Sequence, residues 1–357
     1  MLAKKIFIIV PSATLESPVK GAIALANEIV KSFPVTFVTI KKGNSNLKLL
    51  NKNVKFIELY EKGNLVKRLF FLRKLISNEG GKSSVVSISF CLSADFINSF
   101  FSNVALTFSS IRGNLPKVYE NNFGWIGKWI AYFHLKRLKK IDYVISMTDS
   151  MSMMVESFIF KKSPVIGNFV DEASLEQCRR KVENNKEYRF VYSGSLVLGK
   201  QPELIVSAMS EILQKDIKTR LDIFGDGPLI NDLKRLTKEL KLDNIVFFHG
   251  YVLNPFTEIS KADVMLIPSL SEGVSRAALE ALYLGVPCVM RDVDGNSELI
   301  TSGINGELFD DSKDLAKVML DTAIFSRKHK LFQKILTPAI FRQVLASNKF
   351  INIIESH

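Results

Sequence analysis

Apolar positions along this chain fall into short runs of four to six residues, separated by longer stretches in which apolar residues recur every third or fourth position. The short runs predict strands at Ile6–Val10, Val35–Ile40, Val54–Leu59, Val85–Phe90, Ala105–Phe108 and Tyr143–Met147. The amphipathic stretches between them predict helices at Gly21–Ser32, Asn64–Ser77, Ala94–Ser102 and Gly127–Lys140. A second series follows, with strands at Arg189–Ser193, Thr219–Phe224, Ile245–His249, Val264–Pro268 and Pro287–Arg291. Helices at Pro202–Gln214, Pro228–Leu240 and Arg276–Leu284 alternate with them. Strand–helix alternation implies parallel, doubly wound sheets with helices on both faces. Residues 172–187 are polar and read as a surface segment, and Pro338–Ile354 reads as a final helix.

A chain of 357 residues exceeds one ordinary core, so two domains are expected. Apolar residues at 47% and charged residues at 24% are those of a globular protein. The three cysteines, Cys91, Cys178 and Cys288, are far apart, which suggests neither a metal nor a disulfide framework and fits a reducing, cytoplasmic setting. The apolar run after Lys4-Lys5 is too short for a signal peptide and lacks a small-residue cleavage site, so it reads as a first strand. No stretch approaches the roughly 18 apolar residues of a membrane span.

The net charge of +12 is unevenly spread. Residues 1–165 hold 24 Lys and Arg against 10 Asp and Glu, whereas the remainder holds 24 against 26. A basic N-terminal half implies an anionic partner for that half: a membrane surface, a phosphorylated acceptor or nucleic acid. Nucleic acid lacks support, because no zinc, aromatic RNA-binding or helix-turn-helix pattern accompanies the charge. Lys67-Arg68, Arg73-Lys74 and the cations from Lys128 to Lys140 interleave with Leu69, Phe70, Phe71, Trp125, Trp129, Tyr132 and Phe133. Basic residues mixed with aromatics suit peripheral contact with an anionic membrane; the alternative is an amphipathic helix with solvated lysines. His134, among Lys136, Arg137, Lys139 and Lys140, reads as a surface residue.

The densest chemistry lies in Ser269–Ile300, SLSEGVSRAALEALYLGVPCVMRDVDGNSELI. Glu272 precedes a helix for which Ser275 is a plausible N-cap, and Glu280 lies inside that helix, eight positions later. Gly273 lets the backbone approach a ligand, and the first helical amides favour an anion. A carboxylate at the depth of Glu280 can accept two hydrogen bonds from a ribose diol, each worth roughly 1.5–3 kcal/mol.

This arrangement resembles the E-x7-E element of retaining glycosyltransferases of family 4, of the bacterial polysaccharide and lipopolysaccharide type. The surroundings strengthen the resemblance. Ala262-Asp263 to Pro268-Ser269 is similar to the family's A-D-hydrophobic-P-S strand, and Gly285-Val286-Pro287-Cys288-Val289 to its G-x-P-V-V strand. Gly295 to Ile300 stands where the family has G-x-x-E-L/I, and Phe224 to Pro228 resembles its G-x-G-P turn. Pro164 to Asp171 resembles its interdomain stretch.

The resemblance implies a GT-B fold: two doubly wound Rossmann-like domains facing across a cleft. Residues 1–168, joined by the C-terminal helix 338–357, would bind the acceptor, and residues 169–337 the nucleotide sugar. The chain would move a sugar, with retention, from a UDP- or GDP-linked donor to a saccharide or lipid-linked acceptor, without cofactor or metal. It would work on the cytoplasmic face of the cell membrane. Glu272 and Lys200 take the catalytic roles by resemblance. Gly194, Ser195, Gly225, Gly273, Val274, Ser275, Arg276 and Glu280 join Lys200 in binding the donor. Glu272 would hold the donor sugar, Glu280 the ribose and Lys200 the diphosphate.

Several positions depart from the family pattern. Ser195 replaces an arginine, a charge that Arg276 or Arg291 would have to supply. The first loop, Ser12 to Gly21, carries only Gly21 in place of a glycine pair; Lys20 and Gly21 remain candidates for the phosphates or acceptor, as do Arg112 and Asn114. No histidine falls where many members place one near the reacting carbon. Asp292-Val293-Asp294 has the spacing of a metal-binding D-x-D from another glycosyltransferase fold, and reads here as loop chemistry. A sugar-nucleotide epimerase or hydrolase on the same fold is the competing reading, disfavoured by the scarcity of histidine.

Overall fold

A computed structural model describes residues 4–14, 17–43, 49–179, 186–310 and 312–357, without the side chain of Asn122. The chain divides into two compact units, Met1–Val170 with Ile340–His357, and Asp171–Ala339.

Unit 1 holds strands β1 (Lys5–Val10), β2 (Val35–Thr39), β3 (Lys55–Glu58), β4 (Val85–Phe90), β5 (Leu106–Ser110) and β6 (Tyr143–Ile145). They form one sheet in the order β3-β2-β1-β4-β5-β6, with every pair parallel. Its helices are α1 (Ser17–Ile29), α2 (Leu65–Ser77), α3 (Leu92–Asn98), α4 (Leu115–Phe123), α5 (Trp125–Leu138) and α6 (Asp149–Ile159). The central strand β1 is apolar on both faces, as a parallel sheet covered by helices favours. Ile6 and Ile8 point into a core shared with α1, while Phe7 and Ile9 point into one shared with α2 and α3. Each such fully buried side chain contributes roughly 1.5–3 kcal/mol.

Unit 2 repeats this plan with β7 (Tyr188–Ser193), β8 (Thr219–Phe224), β9 (Val246–Gly250), β10 (Val264–Ile267), β11 (Cys288–Arg291) and β12 (Gly306–Phe309). Their order, β12-β11-β10-β7-β8-β9, is the unit 1 order read from the other edge. Its helices are α7 (Glu172–Glu176), α8 (Pro202–Leu213), α9 (Ile230–Glu239), α10 (Phe256–Ile259), α11 (Arg276–Tyr283), α12 (Asn296–Leu299) and α13 (Leu315–Lys328). The final helix, α14 (Gln343–Glu355), belongs to unit 1, where Ala346, Phe350 and Ile354 pack with α1. Gln343 donates to Glu28 at 2.7 Å there.

The fold class is the expected one. Seven elements that the hydrophobic pattern did not give are α4, α6, α7, α10, α12, α13 and β12. The first loop is also shorter than expected. α1 already begins at Ser17, because Pro18 in its first turn needs no N–H partner, so Lys20 and Gly21 are helical. Leu15 and Glu16 of that loop, and residues 180–185 of the polar segment, lie outside the described residues.

Candidate functional site

In unit 2 the strand order reverses between β7 and β10, so the loops leaving their C-terminal ends diverge there. Ligands of open α/β sheets bind at such a point. The loop after β7 carries Gly194, Ser195 and Lys200, and the loop after β10 carries Glu272, Gly273, Val274 and Ser275. Leu270 N–H donates to the Gly199 carbonyl at 3.0 Å and joins the two loops.

Lys200 Nζ donates to Glu272 Oε1 at 2.5 Å, and Ser269 Oγ donates to the same oxygen at 2.8 Å. Asp294 then fixes the turn bearing Glu272: it accepts from Ser271 Oγ at 2.6 Å and from the Glu272 N–H at 3.2 Å. Asp294 holds a left-handed backbone, φ 49°, a conformation that aspartate tolerates better than most residues. Ser269 and Asp294 were both visible in the sequence, but nothing in their spacing marked them as supports of Glu272.

Ser275 caps α11, accepting from the Ala278 N–H at 3.4 Å. Inside that helix Arg276 Nε and Glu280 Oε1 stand 3.3 Å apart, one turn from each other, with both side chains nearly buried. Burial pushes the Arg276 pKa below the usual arginine range, while the negative charges of Glu280 and Asp171 oppose the shift. A guanidinium so placed depends on its anions. Of the two candidates to replace the family arginine, Arg276 is thus engaged with Glu280. Arg291 ties the site together, donating to Gln201 Oε1 at 2.9 Å, the Pro268 carbonyl at 3.2 Å and the Asp310 carbonyl at 3.3 Å.

The glycines at the ends of β7 and β8 answer a steric demand. A Cβ on Gly225, at φ 154°, would stand 1.8 Å from the Gly194 carbonyl oxygen. One on Gly227 would stand 2.4 Å from that of Leu196. The backbones lie this close because Gly194 N–H donates to Phe224 and Leu196 N–H to Asp226, each at 2.9 Å. Asp226 accepts from the Gly227 N–H at 2.7 Å, as a turn residue does. The Tyr192 hydroxyl donates to the Ser195 carbonyl at 2.9 Å and braces the loop from beneath. Burial, with Glu272 and Glu203 adding, pushes its pKa up, so Tyr192 remains a protonated donor.

Among the unit 1 candidates, Gly21 and Arg112 stand close together. Arg112 donates to Asn168 Oδ1 at 2.7 Å and stacks over Phe90 at 4.6 Å. A Cβ on Gly21 would already stand 3.2 Å from the Arg112 guanidinium, so the glycine makes room for it. Asn114 caps α4, accepting from the Lys117 N–H at 3.3 Å. Lys20 stands part-buried in α1.

His134 is not a surface residue. It is 1% exposed, bonded through Nε2 to Asp95 at 2.8 Å and through Nδ1 to the Tyr119 hydroxyl at 2.9 Å. Its basic neighbours misled because α5 turns inward every third or fourth residue, and His134 shares the inner stripe with Ala131, Leu135 and Leu138. The other three histidines have local partners within their own units. His249 bonds Asp222, His329 packs on Phe325, and His357 lies beside Tyr143.

Residues 175–323 match the family model described as Glycosyl transferases group 1. The chain is similar to the alpha-monoglucosyldiacylglycerol synthase of Streptococcus pneumoniae, at 26% identity over 61% of this chain and 55% of that protein. It spans between 18% and 55% of the length of such curated relatives. Among solved structures it is similar to a mutant of S. aureus TarM in complex with Fondaparinux, alpha-GlcNAc-glycerol and UDP. The TM-score is 0.78 at 15% identity, over 98% of this chain and 99% of that one. Anabaena HepE in complex with UDP gives a TM-score of 0.77 at 14% identity, over 99% of this chain and 100% of that one. At these identities the likeness shows the fold, which is that of the GT-B glycosyltransferases.

Proposed function

We propose, from a chain whose C-terminal unit is a group 1 glycosyltransferase domain on a GT-B fold, that it transfers a sugar from a nucleotide diphosphate donor to a saccharide or lipid-linked acceptor in cell-surface glycan or glycolipid synthesis. The observation that carries this reading is the pairing of Lys200 with Glu272 beside the N-terminus of α11, with Glu280 buried a turn and a half further along. A diphosphate fits beside a lysine and a row of outward amides. A ribose diol fits the Glu280 carboxylate, and sugar hydroxyls fit Glu272. Likeness to proteins solved with UDP supports a uridine donor.

In this reading the anomeric configuration is retained. The acceptor hydroxyl attacks the anomeric carbon on the face that the nucleotide leaves. The bond from that carbon to the phosphate oxygen breaks as the new glycosidic bond forms, and the hydroxyl proton passes to the departing phosphate. Lys200 stabilises the charge that grows on that phosphate. Asp294 and Ser269 hold Glu272 in place. The diphosphate is met by a lysine and amides rather than a metal, since Asp294 is committed to Ser271 and Glu272. The surplus of positive charge before residue 166 supports working contact with an anionic membrane, where lipid-linked acceptors reside. Incubation with UDP- and GDP-sugars and a saccharide acceptor, followed by NMR of the product anomer, tests the reading. A retained product is expected; an inverted product, or epimerised donor without transfer, would contradict it.

A further inference from the structure

We propose that the α4–α5 hairpin of unit 1 is an aromatic wedge that inserts into the interface of an anionic lipid bilayer. This rests on the membrane reading above and deepens it, from attraction of charge to burial of a defined tip. α5 carries two apolar stripes rather than one. The inner stripe, from Gly127 and Ala131 to Leu138, packs toward α3, α4 and α6. The outer stripe repeats at Trp125, Trp129, Tyr132 and Phe133, and Phe123 and Ile126 extend it around the turn. All six are exposed, Trp125 by 74% and Trp129 by 59%. A helix with large apolar residues on the face away from its own core leaves that face for a partner.

The hairpin is built to hold this tip rigidly. Gly124, at φ 57°, ends α4 and begins α5 with no intervening loop. At Gly127 the helices touch backbone to backbone, where a Cβ would stand 2.0 Å from the Tyr119 carbonyl oxygen. At the base, the hydrogen-bonded chain Tyr119–His134–Asp95, its last two members buried, ties α4 and α5 to α3, and Asp95 in turn accepts from Ser89 Oγ at 2.6 Å.

Charge complementarity selects the occupant. Residues 113–140 carry six Lys and Arg and one acid, Glu120, which pairs with Lys128 at 3.2 Å. Lys136 on α5 and Lys139 and Lys140 just past its end are exposed. Tryptophan and tyrosine flanked by lysine suit the headgroup boundary of an anionic bilayer, where indoles bury and ammonium groups meet phosphates. Arg137 does not join them, because it stacks on Phe96 and Phe100, each at 4.4 Å.

The chain's two tryptophans both stand on this hairpin, so intrinsic emission reports on it alone. Vesicles of phosphatidylglycerol and phosphatidylcholine with brominated acyl chains should shift the emission of the whole protein to shorter wavelength and quench it. Quenching should persist in salt that screens surface charge. Phe123→Ser with Ile126→Ser retains both reporters and should lower the partition coefficient about tenfold or more, from the apolar surface removed. Emission unchanged by bound vesicles, or vesicle binding abolished by salt, would overturn insertion. A concentration-dependent dimer that alone shifts the emission would assign the face to a second copy instead. Transfer to a water-soluble acceptor, measured in parallel, separates the two claims. Transfer without quenching refutes the wedge alone, and quenching without transfer on any acceptor refutes the glycosyltransferase reading alone.

Discussion

Lys200 and Glu272, 72 residues apart in sequence, meet at 2.5 Å across the gap between the loops that follow β7 and β10. The pair gives each residue a partner that a donor must share or displace. Glu272→Gln should therefore release Lys200 toward the diphosphate while removing the acceptor for the sugar. We expect kcat to fall by roughly ten- to a hundredfold, the equivalent of one charged hydrogen bond, while affinity for the nucleoside diphosphate holds or rises. Steady-state kinetics with a separate binding titration check this. Loss of nucleotide affinity with kcat unchanged would contradict the roles given to the pair.

Gly225→Ala should destabilise unit 2. Its φ of 154° costs a side chain about 1–3 kcal/mol of strain, and the new Cβ would overlap the Gly194 carbonyl oxygen. Relief requires the loop after β7 to move, so donor affinity should fall together with the melting temperature. Thermal unfolding with and without UDP measures both. A variant as stable as wild type would show that the two turns are not pressed together.

Asp222 on β8 sets an acid limit for unit 2. Burial alone would raise its pKa, but hydrogen bonds from Arg220 and His249 and the charges of Arg220 and Arg189 outweigh it and hold the carboxyl below its ordinary 3.8. A folded value below the unfolded one means that the unfolded chain takes the proton more readily. The stabilisation is therefore complete above about 3.8 and is lost as pH falls through the folded value. Asp222→Asn should cost about 1–3 kcal/mol near neutrality, because it removes the anion that the part-buried Arg220 and Arg189 share. The gap from wild type should narrow as pH drops below about 4, since wild type then loses the same charge. Denaturant titrations across this range check it, and a constant gap would contradict the linkage.

The α/β alternation was legible because each central strand is a short apolar run, as Phe190-Val191-Tyr192 shows, and each long helix repeats its apolar residues at helical spacing. The Ser275 cap and the depth of Glu280 followed from the same spacing. β12 was not legible: Gly306–Phe309 is a four-residue edge strand with one fully buried apolar residue, Phe309. α4 hid for a different reason. Asn121 and Asn122 break its pattern, and its helical state depends on the Asn114 cap and on backbone contact with Gly127. The tie from Asp294 to Glu272 spans 22 residues that include α11 and β11, and its partners meet only once β10 and β11 are paired. Asp263 of the A-D-hydrophobic-P-S strand proves structural: it accepts from Arg327 Nε and from the Arg189 N–H, each at 2.8 Å.

Chelation of divalent metal should leave transfer unchanged. Lys200 and the α11 amides would meet the diphosphate, and Asp294 is committed to Ser271 and Glu272. Activity lost in EDTA and restored by magnesium would return Asp292 and Asp294 to a metal role.

The central claim is that α11 and the Lys200 loop hold a nucleotide diphosphate sugar, with the ribose on Glu280. Calorimetric titration of UDP, GDP and ADP into wild type and Glu280→Gln tests it most directly. One nucleotide should bind clearly better than the others, and the variant should lose roughly 1.5–3 kcal/mol of that binding, the worth of a charged hydrogen bond. Glu280→Gln keeps the side-chain volume, and melting curves taken alongside separate lost affinity from lost folding. No binding of any nucleotide by folded wild type, or equal affinity in wild type and variant, would contradict the account.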